Sequence, residues 1–336
     1  MHLKRLSVKK ILLLLITILC LQNFASAQKI ATADLRQLRQ KEDTLKRLSE
    51  TLTMDSLTAG RMRSDSQFVR TLVRSLQTKN SFYYPFDSVL GVSKLYAPDS
   101  TFRIFTWLMN FDGYYSRQRG AIQMRTADGS LKLIPLRDYS EFTDNALDSV
   151  RTKDNWIGAV YYNIIKNTWN GKNYYTLFGL DDHSVRSKKK WIEVLSFDSK
   201  GQPLFGEVPF TFEKDSIKRA PQHRFSIEYK KEATTLVNFV EEQGMILVDH
   251  LISETDEPEL AYTLVPDGDS EAFRWERGKW VHVDKAFTYK IDMTGADPYL
   301  GRPPVGDEIL DAKGNRNEEK LKVKSENNKV KVKKKD

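Results

Sequence analysis

Cysteine is almost absent from this sequence, which contains a single one, Cys20, in 336 residues. Because Cys20 lies in an apolar N-terminal stretch, the remainder of the chain has no disulfide, no thiol nucleophile and no cysteine metal site. Several enzyme signatures are also missing: Gly-x-Ser-x-Gly, His-Glu-x-x-His, a phosphate-binding glycine-rich loop and a dinucleotide-binding fingerprint. These absences exclude only those enzyme families, because the two carboxylates of a glycosidase have to meet in space and not in sequence.

A concentrated positive charge is missing from the body of the chain, although the whole sequence carries a net charge of +8. Residues 1–27 carry +4 and residues 312–336 carry +6, which leaves −2 for residues 28–311. A nucleic-acid-binding domain normally concentrates basic residues to neutralise phosphates. We therefore expect no nucleic-acid partner.

The N-terminus has the pattern of a secretory signal peptide. A basic start precedes an apolar stretch from Ile11 to Leu21, and Ala25-Ser26-Ala27 supplies the small residues that signal peptidase accepts. The apolar stretch is about half of the roughly 20 residues that a membrane-spanning helix needs. We therefore expect an exported protein without a transmembrane helix; periplasmic, outer-membrane-associated and extracellular locations remain open.

Four regions are predicted along the chain. They are a signal peptide (1–27), a helical segment (28–80), an antiparallel β domain (81–300) and a disordered basic tail (301–336). In the helical segment, apolar residues recur at helical spacing, and the polar stretch from Thr53 to Ser66 predicts a break between two helices. The tail lacks aromatic residues, so it cannot bury enough apolar area to offset the entropy of ordering.

From Ser81 onward, short β-prone runs alternate with turn residues. This texture predicts a mainly β fold with an α-helical N-terminal segment. We expect about a dozen strands joined by hairpins, because the connections are too short for parallel crossovers. A sandwich, an open barrel and a propeller-like array of antiparallel strands all fit the pattern.

Four short segments have the residues or spacing of hairpin turns. Asn170-Gly171 predicts a two-residue turn that places Ile164 opposite Leu177 and Lys166 opposite Tyr175. The other three are Asp128-Gly129, Glu241 to Gly244 and Glu276 to Lys279, of which the last two are expected to be longer loops.

Aromatic residues are abundant in the β region and include four tyrosine doublets. Because side chains alternate along a strand, one ring of a doublet can fill the core while its neighbour faces outward. Exposed flat rings would suit a sugar or a protein partner, whereas rings covered on both faces would be ordinary core residues. The residues predicted to form an aromatic binding face are Trp156, Tyr162, Tyr175, Trp191, Trp275 and Trp280.

Polar residues offer weaker candidates for chemistry. The histidines after the signal peptide have no metal-ligand spacing, so structural and acid–base or zinc roles stay open for each. They are His183, which follows Asp181-Asp182, and His223, His250 and His282. No cofactor is expected, although three carboxylates at an apparent turn could hold Ca²⁺; the run lacks the full EF-hand pattern, and Asp-Gly is common in turns. These carboxylates are Asp267, Asp269 and Glu271. Candidate carboxylates for a hydrolase are Glu193, Glu207 and Glu228.

Four stretches of the sequence resemble a group of uncharacterised exported proteins of Bacteroidota. They are Ser81-Phe82-Tyr83-Tyr84-Pro85-Phe86-Asp87, Phe102-Arg103-Ile104-Phe105-Thr106-Trp107, Trp156-Ile157-Gly158-Ala159-Val160-Tyr161-Tyr162 and Tyr174-Tyr175-Thr176-Leu177-Phe178-Gly179. The resemblance covers roughly residues 65–290 and implies an exported, envelope-associated protein. It implies no activity, cofactor or catalytic residue.

These observations predict an exported, non-catalytic envelope protein that binds a glycan, a peptide or another envelope protein. The alternative is a secreted hydrolase that acts on a glycan or a cell-wall polymer through paired carboxylates. The basic tail would either contact anionic surfaces or remain solvated. Two carboxylates at glycosidase spacing beside an aromatic-lined cleft would favour the hydrolase, and scattered carboxylates would favour the binding module.

Overall fold

The computed structural model describes residues 30–112 and 115–283 of the chain. The predicted signal peptide (1–27), the last part of the predicted β domain (284–300) and the basic tail (301–336) lie outside the described residues. Within the described ranges, no helix is long and apolar enough to cross a membrane.

The described chain begins with two helices and continues in strands, so the predicted mainly β class with a helical N-terminal segment is confirmed. Helix α1 is Thr32–Met54 and helix α2 is Thr58–Leu76. The strands are β1 Val92–Tyr96, β2 Phe102–Asn110, β3 Ser116–Met124, β4 Lys132–Leu136, β5 Arg151–Thr152, β6 Val160–Trp169, β7 Lys172–Asp181, β8 Ser187–Phe197, β9 Pro203–Phe205, β10 Phe210–Thr211, β11 Arg224–Lys230, β12 Val237–Val240, β13 Met245–Ser253, β14 Leu264–Glu276 and β15 Lys279–Val283.

The two helices form a hairpin whose apolar stripes face the first sheet. Leu45 of α1 and Phe68 of α2 are almost fully buried and share a core cluster with Trp107 of β2. The predicted break between the helices is present but is confined to three residues, 55–57. Gly60 lies inside α2, where a Cβ atom would come within 1.9 Å of the Asp55 carboxylate. The absence of a side chain at Gly60 therefore leaves room for that carboxylate beside the first turn of α2.

The first sheet has the antiparallel order β1-β2-β3-β4. Along β2, side chains alternate between two cores, as the period of a strand requires. Phe105 and Trp107 face the helices, whereas Phe102 and Ile104 pack with residues of the second sheet. β3 and β4 form the hairpin predicted around Asp128-Gly129, but Met124 pairs with Lys132, so residues 125–131 form a loop that is longer than the tight turn expected there.

The second sheet lies between the other two sheets. Its strand order is β5-β9-β8-β7-β6, and β11 also pairs with β8. Leu177 of β7 packs toward the first sheet, and its neighbour Phe178 packs toward the third. The predicted register is confirmed, because Ile164 pairs with Leu177 and Lys166 pairs with Tyr175.

The third sheet has the order β10-β15-β14-β13-β12, with β10 parallel to β15 and the other neighbours antiparallel. The loop predicted at 241–244 joins β12 to β13. The loop predicted at 276–279 is shorter than expected, because Glu276 pairs with Lys279 and only Arg277-Gly278 forms the turn. Of the architectures that the sequence allowed, these stacked antiparallel sheets match a sandwich-like fold.

Candidate ligand-binding site

The six aromatic residues predicted to form one face are not gathered on an exposed surface. Four of them are buried, namely Trp156, Tyr175, Trp191 and Trp280. Tyr162 is 38% exposed, but its hydroxyl donates to the carbonyl oxygen of Val237 at 2.5 Å and so links the edges of the second and third sheets. Trp275 is half-buried. The predicted face is therefore corrected: most of these rings fill the cores on either side of the second sheet.

Trp156 belongs to a buried polar network in the core between the first two sheets. Its indole N–H donates to the Tyr161 hydroxyl at 2.7 Å, and that hydroxyl donates to the Glu193 carboxylate. Arg224 donates to the same carboxylate at 2.8 Å, and both charged side chains are at most 2% exposed. Glu193 is thus held in a structural ion pair and has no access to a substrate.

The other two carboxylates predicted for a hydrolase are also engaged. Glu207 accepts from Lys172 at 2.6 Å, and Glu228 accepts from the Ser187 hydroxyl at 2.6 Å. Burial would raise the pKa of each carboxyl group, but these hydrogen bonds and nearby lysine charges outweigh burial and lower the pKa. A general acid near neutral pH needs the opposite shift. The arrangement therefore favours ionised structural carboxylates at both positions.

The four predicted histidines lie apart from one another and contact different partners. His183 has its ring nitrogens 3.5 Å from Asp181 and 3.7 Å from Glu228. His223 contacts the carbonyl oxygen of Gly206 at 2.7 Å. The remaining two, His250 and His282, each contact carboxylates on the third sheet.

The carboxylates predicted to bind Ca²⁺ lie within β14 and not at a turn between elements. Asp267 pairs with His250 at 2.8 Å and accepts from the backbone N–H of Asp269 at 2.9 Å, whereas Glu271 pairs with His282 at 2.6 Å. Across residues 30–112 and 115–283, no group of three or more His, Cys, Asp or Glu side chains is placed to hold a metal ion. The calcium site is therefore not formed by these three residues.

A smaller aromatic surface does occur where two hairpin tips meet, and we call Trp169, Tyr174 and Trp275 the aromatic rim. Trp169 and Tyr174 flank the Asn170-Gly171 turn of the second sheet, and Trp275 precedes the Arg277-Gly278 turn of the third. Positive φ angles at all four turn residues, between 48° and 79°, are typical of tight two-residue hairpins.

The rings of the aromatic rim are fixed by direct packing. The centroids of Tyr174 and Trp275 are 5.9 Å apart, and Trp275 packs edge-on against buried Trp280 at 5.2 Å. Trp169, which is 39% exposed, lies against Gly278 so closely that a Cβ there would be 2.4 Å from its ring. Gly278 is therefore needed both for its φ of 79° and for the approach of the indole.

Ion pairs border the aromatic rim. Lys172 pairs with Glu207 at 2.6 Å and its ammonium lies 5.5 Å from the centroid of the Tyr174 ring. On the third sheet, Lys214 pairs with Glu276 at 2.7 Å and Lys279 pairs with Glu213 at 2.6 Å. The border is thus polar, while each of these ammonium groups is neutralised by a carboxylate.

Of the three rings in the rim, only Trp275 is among the six residues predicted to form the aromatic face. The signal was present, because Trp169 pairs with Lys172 and Asn167 pairs with Tyr174 in the register that the Asn-Gly turn fixes. Directly paired residues share one face of a sheet, so Trp169 and Tyr174 lie on the face opposite Tyr175.

A second aromatic group lies away from these hairpin tips and offers a comparison surface. Tyr139 and Phe142 have ring centroids 5.1 Å apart and are 36% and 61% exposed. Tyr115 joins them by donating a hydrogen bond of 2.9 Å from its hydroxyl to Glu141.

No protein-family model, curated protein or solved structure matches this chain.

Proposed function

We propose that this protein is an exported, non-catalytic binding module of the cell envelope that binds a glycan at the aromatic rim. The observation that carries the proposal is the set of three partly exposed rings, Trp169, Tyr174 and Trp275, which packing holds in place. Rigid aromatic side chains supply a large contact area at low cost in conformational entropy. The apolar C–H face of a pyranose ring complements such a surface.

The border of the rim supports a glycan over a charged ligand. Sugar hydroxyls both donate and accept hydrogen bonds, and the Lys172–Glu207 and Lys279–Glu213 pairs present donors and acceptors side by side. Since each of these pairs is neutral as a unit, it offers little attraction to a strongly anionic or cationic partner.

Export is supported by the signal-peptide pattern of residues 1–27 and by the resemblance of four stretches to exported proteins of Bacteroidota. The hydrolase alternative is less well supported. Its three candidate carboxylates each have a basic partner, and Glu193 is buried with Arg224.

The test is a titration of the mature chain, residues 28–336, with soluble neutral glucans, xylans and peptidoglycan fragments by calorimetry. Trp169→Ala is expected to weaken binding of a glycan about tenfold, because a stacked aromatic contact contributes roughly 1 kcal/mol or more. Phe142→Ala, which removes a more exposed ring from the comparison surface, is the matched control and should leave affinity unchanged.

Two outcomes would contradict the proposal. One is that no glycan binds the folded mature chain. The other is that Trp169→Ala and Phe142→Ala change the affinity equally, since binding would then not depend on the rim. Thermal melting of each variant separates a loss of contact from a loss of fold.

A further inference from the structure

The loop between β10 and β11, residues 212–223, is held against the third sheet by hydrogen bonds and ion pairs. At its neck, Phe210 and Gln222 exchange backbone hydrogen bonds of 2.8 and 2.9 Å. Beyond the neck most of the loop is exposed, including Ile217 at 79%. Apart from Phe212, which is 1% exposed, the loop has few buried apolar contacts, and such a segment opens at low free-energy cost unless other contacts hold it.

The most buried of these holding contacts involves His282 of β15, which is 1% exposed. Its Nδ1 lies 2.8 Å from Asp215 of the loop, and its Nε2 lies 2.6 Å from Glu271 of β14. An ionised carboxylate only accepts hydrogen bonds, so both contacts require an N–H on the ring. Only the protonated imidazolium has two N–H donors. The rings of Phe212 and Phe273 pack on His282 at 5.3 and 5.1 Å and keep the contact from water.

The charged groups facing His282 come from β14 and from the loop. Glu271 is the β14 group, and Asp215 and Arg219 are the loop groups. Arg219 Nη2 lies 2.7 Å from Asp215 and 3.4 Å from His282 Nδ1, so the guanidinium shares the Asp215 carboxylate with the imidazolium. Two carboxylates thus face two cationic groups, and loss of the imidazolium proton leaves one carboxylate charge uncompensated.

We propose that the hydrogen-bonded ion pairs of His282 act as a pH-sensitive contact. They hold the β10–β11 loop on β14 and β15 while the ring is protonated and release the loop when the ring loses a proton. The contacts on both ring nitrogens carry this inference, which goes beyond glycan binding and does not depend on it. The ion pairs of Glu213 and Lys214 with the β14–β15 hairpin are solvent-exposed and therefore hold the loop only weakly.

The direction of the pH dependence follows from the surroundings of the ring. Burial would lower the pKa of His282, but the hydrogen bonds and charges of Glu271 and Asp215 outweigh burial and raise its pKa above the ordinary value of 6.5. The stabilisation of the closed loop by protonated His282 is therefore fully present below pH 6.5 and is lost as the pH rises through the raised pKa. Burial would raise the pKa of Asp215, yet Arg219 and His282 outweigh it and lower that pKa, so the carboxylate stays charged until strongly acidic pH.

Limited digestion of the mature chain with trypsin tests the proposal, because Lys218 and Arg219 lie in the loop. The rate of cleavage after Lys218 and Arg219 is measured between about pH 6 and pH 9.5. It is divided by the rate for an unfolded peptide with the sequence of the loop, which removes the pH dependence of trypsin itself. In the wild type, we expect cleavage to accelerate about tenfold for each unit by which the pKa of His282 exceeds its ordinary value. Ring ¹⁵N shifts should show both nitrogens of His282 protonated in more than half of the molecules at pH 6.5, because the pKa lies above that value.

Two variants distinguish a contact that depends on protonation of His282 from one that is only structural. Asp215→Asn keeps an acceptor for the ring but removes a charge, so the midpoint of the cleavage profile should move to lower pH. His250→Gln removes an exposed histidine that pairs with Asp267 at 2.8 Å, and it should leave the profile unchanged. A wild-type cleavage rate that does not vary with pH, an unshifted midpoint in Asp215→Asn, or a neutral His282 ring at pH 6.5 would overturn the proposal.

Discussion

Replacing Arg224 by methionine should strongly destabilise the protein. Arg224 is 0% exposed and donates to the Glu193 carboxylate at 2.8 Å. Its other donors reach the carbonyl oxygens of Ala146 and Ser149 at 2.9 Å each and of Phe205 at 3.0 Å. One side chain therefore joins the segment before β5 to strands β8 and β9. Methionine fills part of the same volume and supplies none of these donors.

The expected loss can be worked out from these partners. Removing one member of a buried ion pair costs about 3–5 kcal/mol, because the other charge is left uncompensated in the core. In Arg224→Met, Glu193 keeps only the Tyr161 hydroxyl as a side-chain hydrogen-bond partner within residues 30–112 and 115–283. A typical domain is stable by about 5–15 kcal/mol, so this loss is a large fraction of the total free energy of unfolding.

Urea unfolding followed by tryptophan fluorescence measures the effect. The matched control is Lys172→Met, which removes an ion pair with Glu207 whose side chains are 36% and 34% exposed. That pair should contribute about 0–1 kcal/mol. The double variant Glu193→Leu, Arg224→Met should recover part of the loss, because it removes the unpaired buried charge but leaves three carbonyl groups without the hydrogen bonds from Arg224. Equal urea midpoints for Arg224→Met and Lys172→Met would refute the reasoning.

Three further outcomes are expected. Gly278→Ala should weaken glycan binding several-fold by displacing Trp169, whereas Gly244→Ala, which has a similar positive φ but no atom within 4 Å of the added Cβ, should only reduce thermal stability. A calcium chelator should leave the melting temperature unchanged, because Asp267 and Glu271 already bind histidines; a lower melting temperature would restore the calcium prediction. Deleting residues 312–336 should reduce binding to anionic liposomes at low salt and have no effect at high salt, and equal binding by both chains at low salt would indicate a solvated tail.

Local turn chemistry allowed part of the fold to be predicted in detail. An Asn-Gly pair between two apolar runs selects a two-residue turn, and that turn fixes every pairing beside it. The pairing holds from Trp169 back to Asn163, where it shifts because Tyr162 has no partner in β7. A bulge of this kind changes the direction of a side chain, and here the Tyr162 hydroxyl donates a hydrogen bond to Val237 of the third sheet. The sequence near Tyr162 contains no turn signal that would reveal a contact with a strand so distant in the chain.

The candidate site was harder to predict because alternation identifies the two faces of a strand and not what covers them. Tyr174 and Tyr175 divide between the faces of β7 as expected, yet both faces are covered, one by the first sheet and one by the third. Burial of Trp280 depends on that stacking. Trp280 lies in β15 and donates a hydrogen bond of 3.0 Å to Thr176 of β7, which is more than a hundred residues earlier in the sequence. On the same face of the second sheet, Trp169 beside the Asn170-Gly171 turn keeps 39% of its surface exposed, and no sequence signal distinguishes it from a covered ring.

The four stretches on which the predicted resemblance to exported proteins rests mostly build the core. Arg103, from the second stretch, is 0% exposed and donates to the carbonyl oxygens of Ser81 and Tyr84 in the first at 2.8 and 2.6 Å. Its guanidinium also lies 5.8 Å from the ring centroid of Phe82 and 5.4 Å from that of Phe86. The buried guanidinium of Arg103 therefore links the first two stretches. Its hydrogen bonds go to neutral acceptors, so the residues of both stretches serve packing and hydrogen bonding in the core.

The aromatic rim has a different origin. Tyr174 belongs to one of the four resembling stretches, but Trp169 and Trp275 lie outside all of them. Side chains that fill a core are constrained by every neighbour they touch, whereas a ring on a hairpin tip has fewer neighbours, such as Gly278 for Trp169, and would be constrained further by the proposed ligand. Proteins that share the four stretches would thus be expected to share the stacked sheets, while the ligand would follow the residues at the two tips. A relative with the same core but without an aromatic residue at the position of Trp169 should fold in the same way and lose affinity for the glycan.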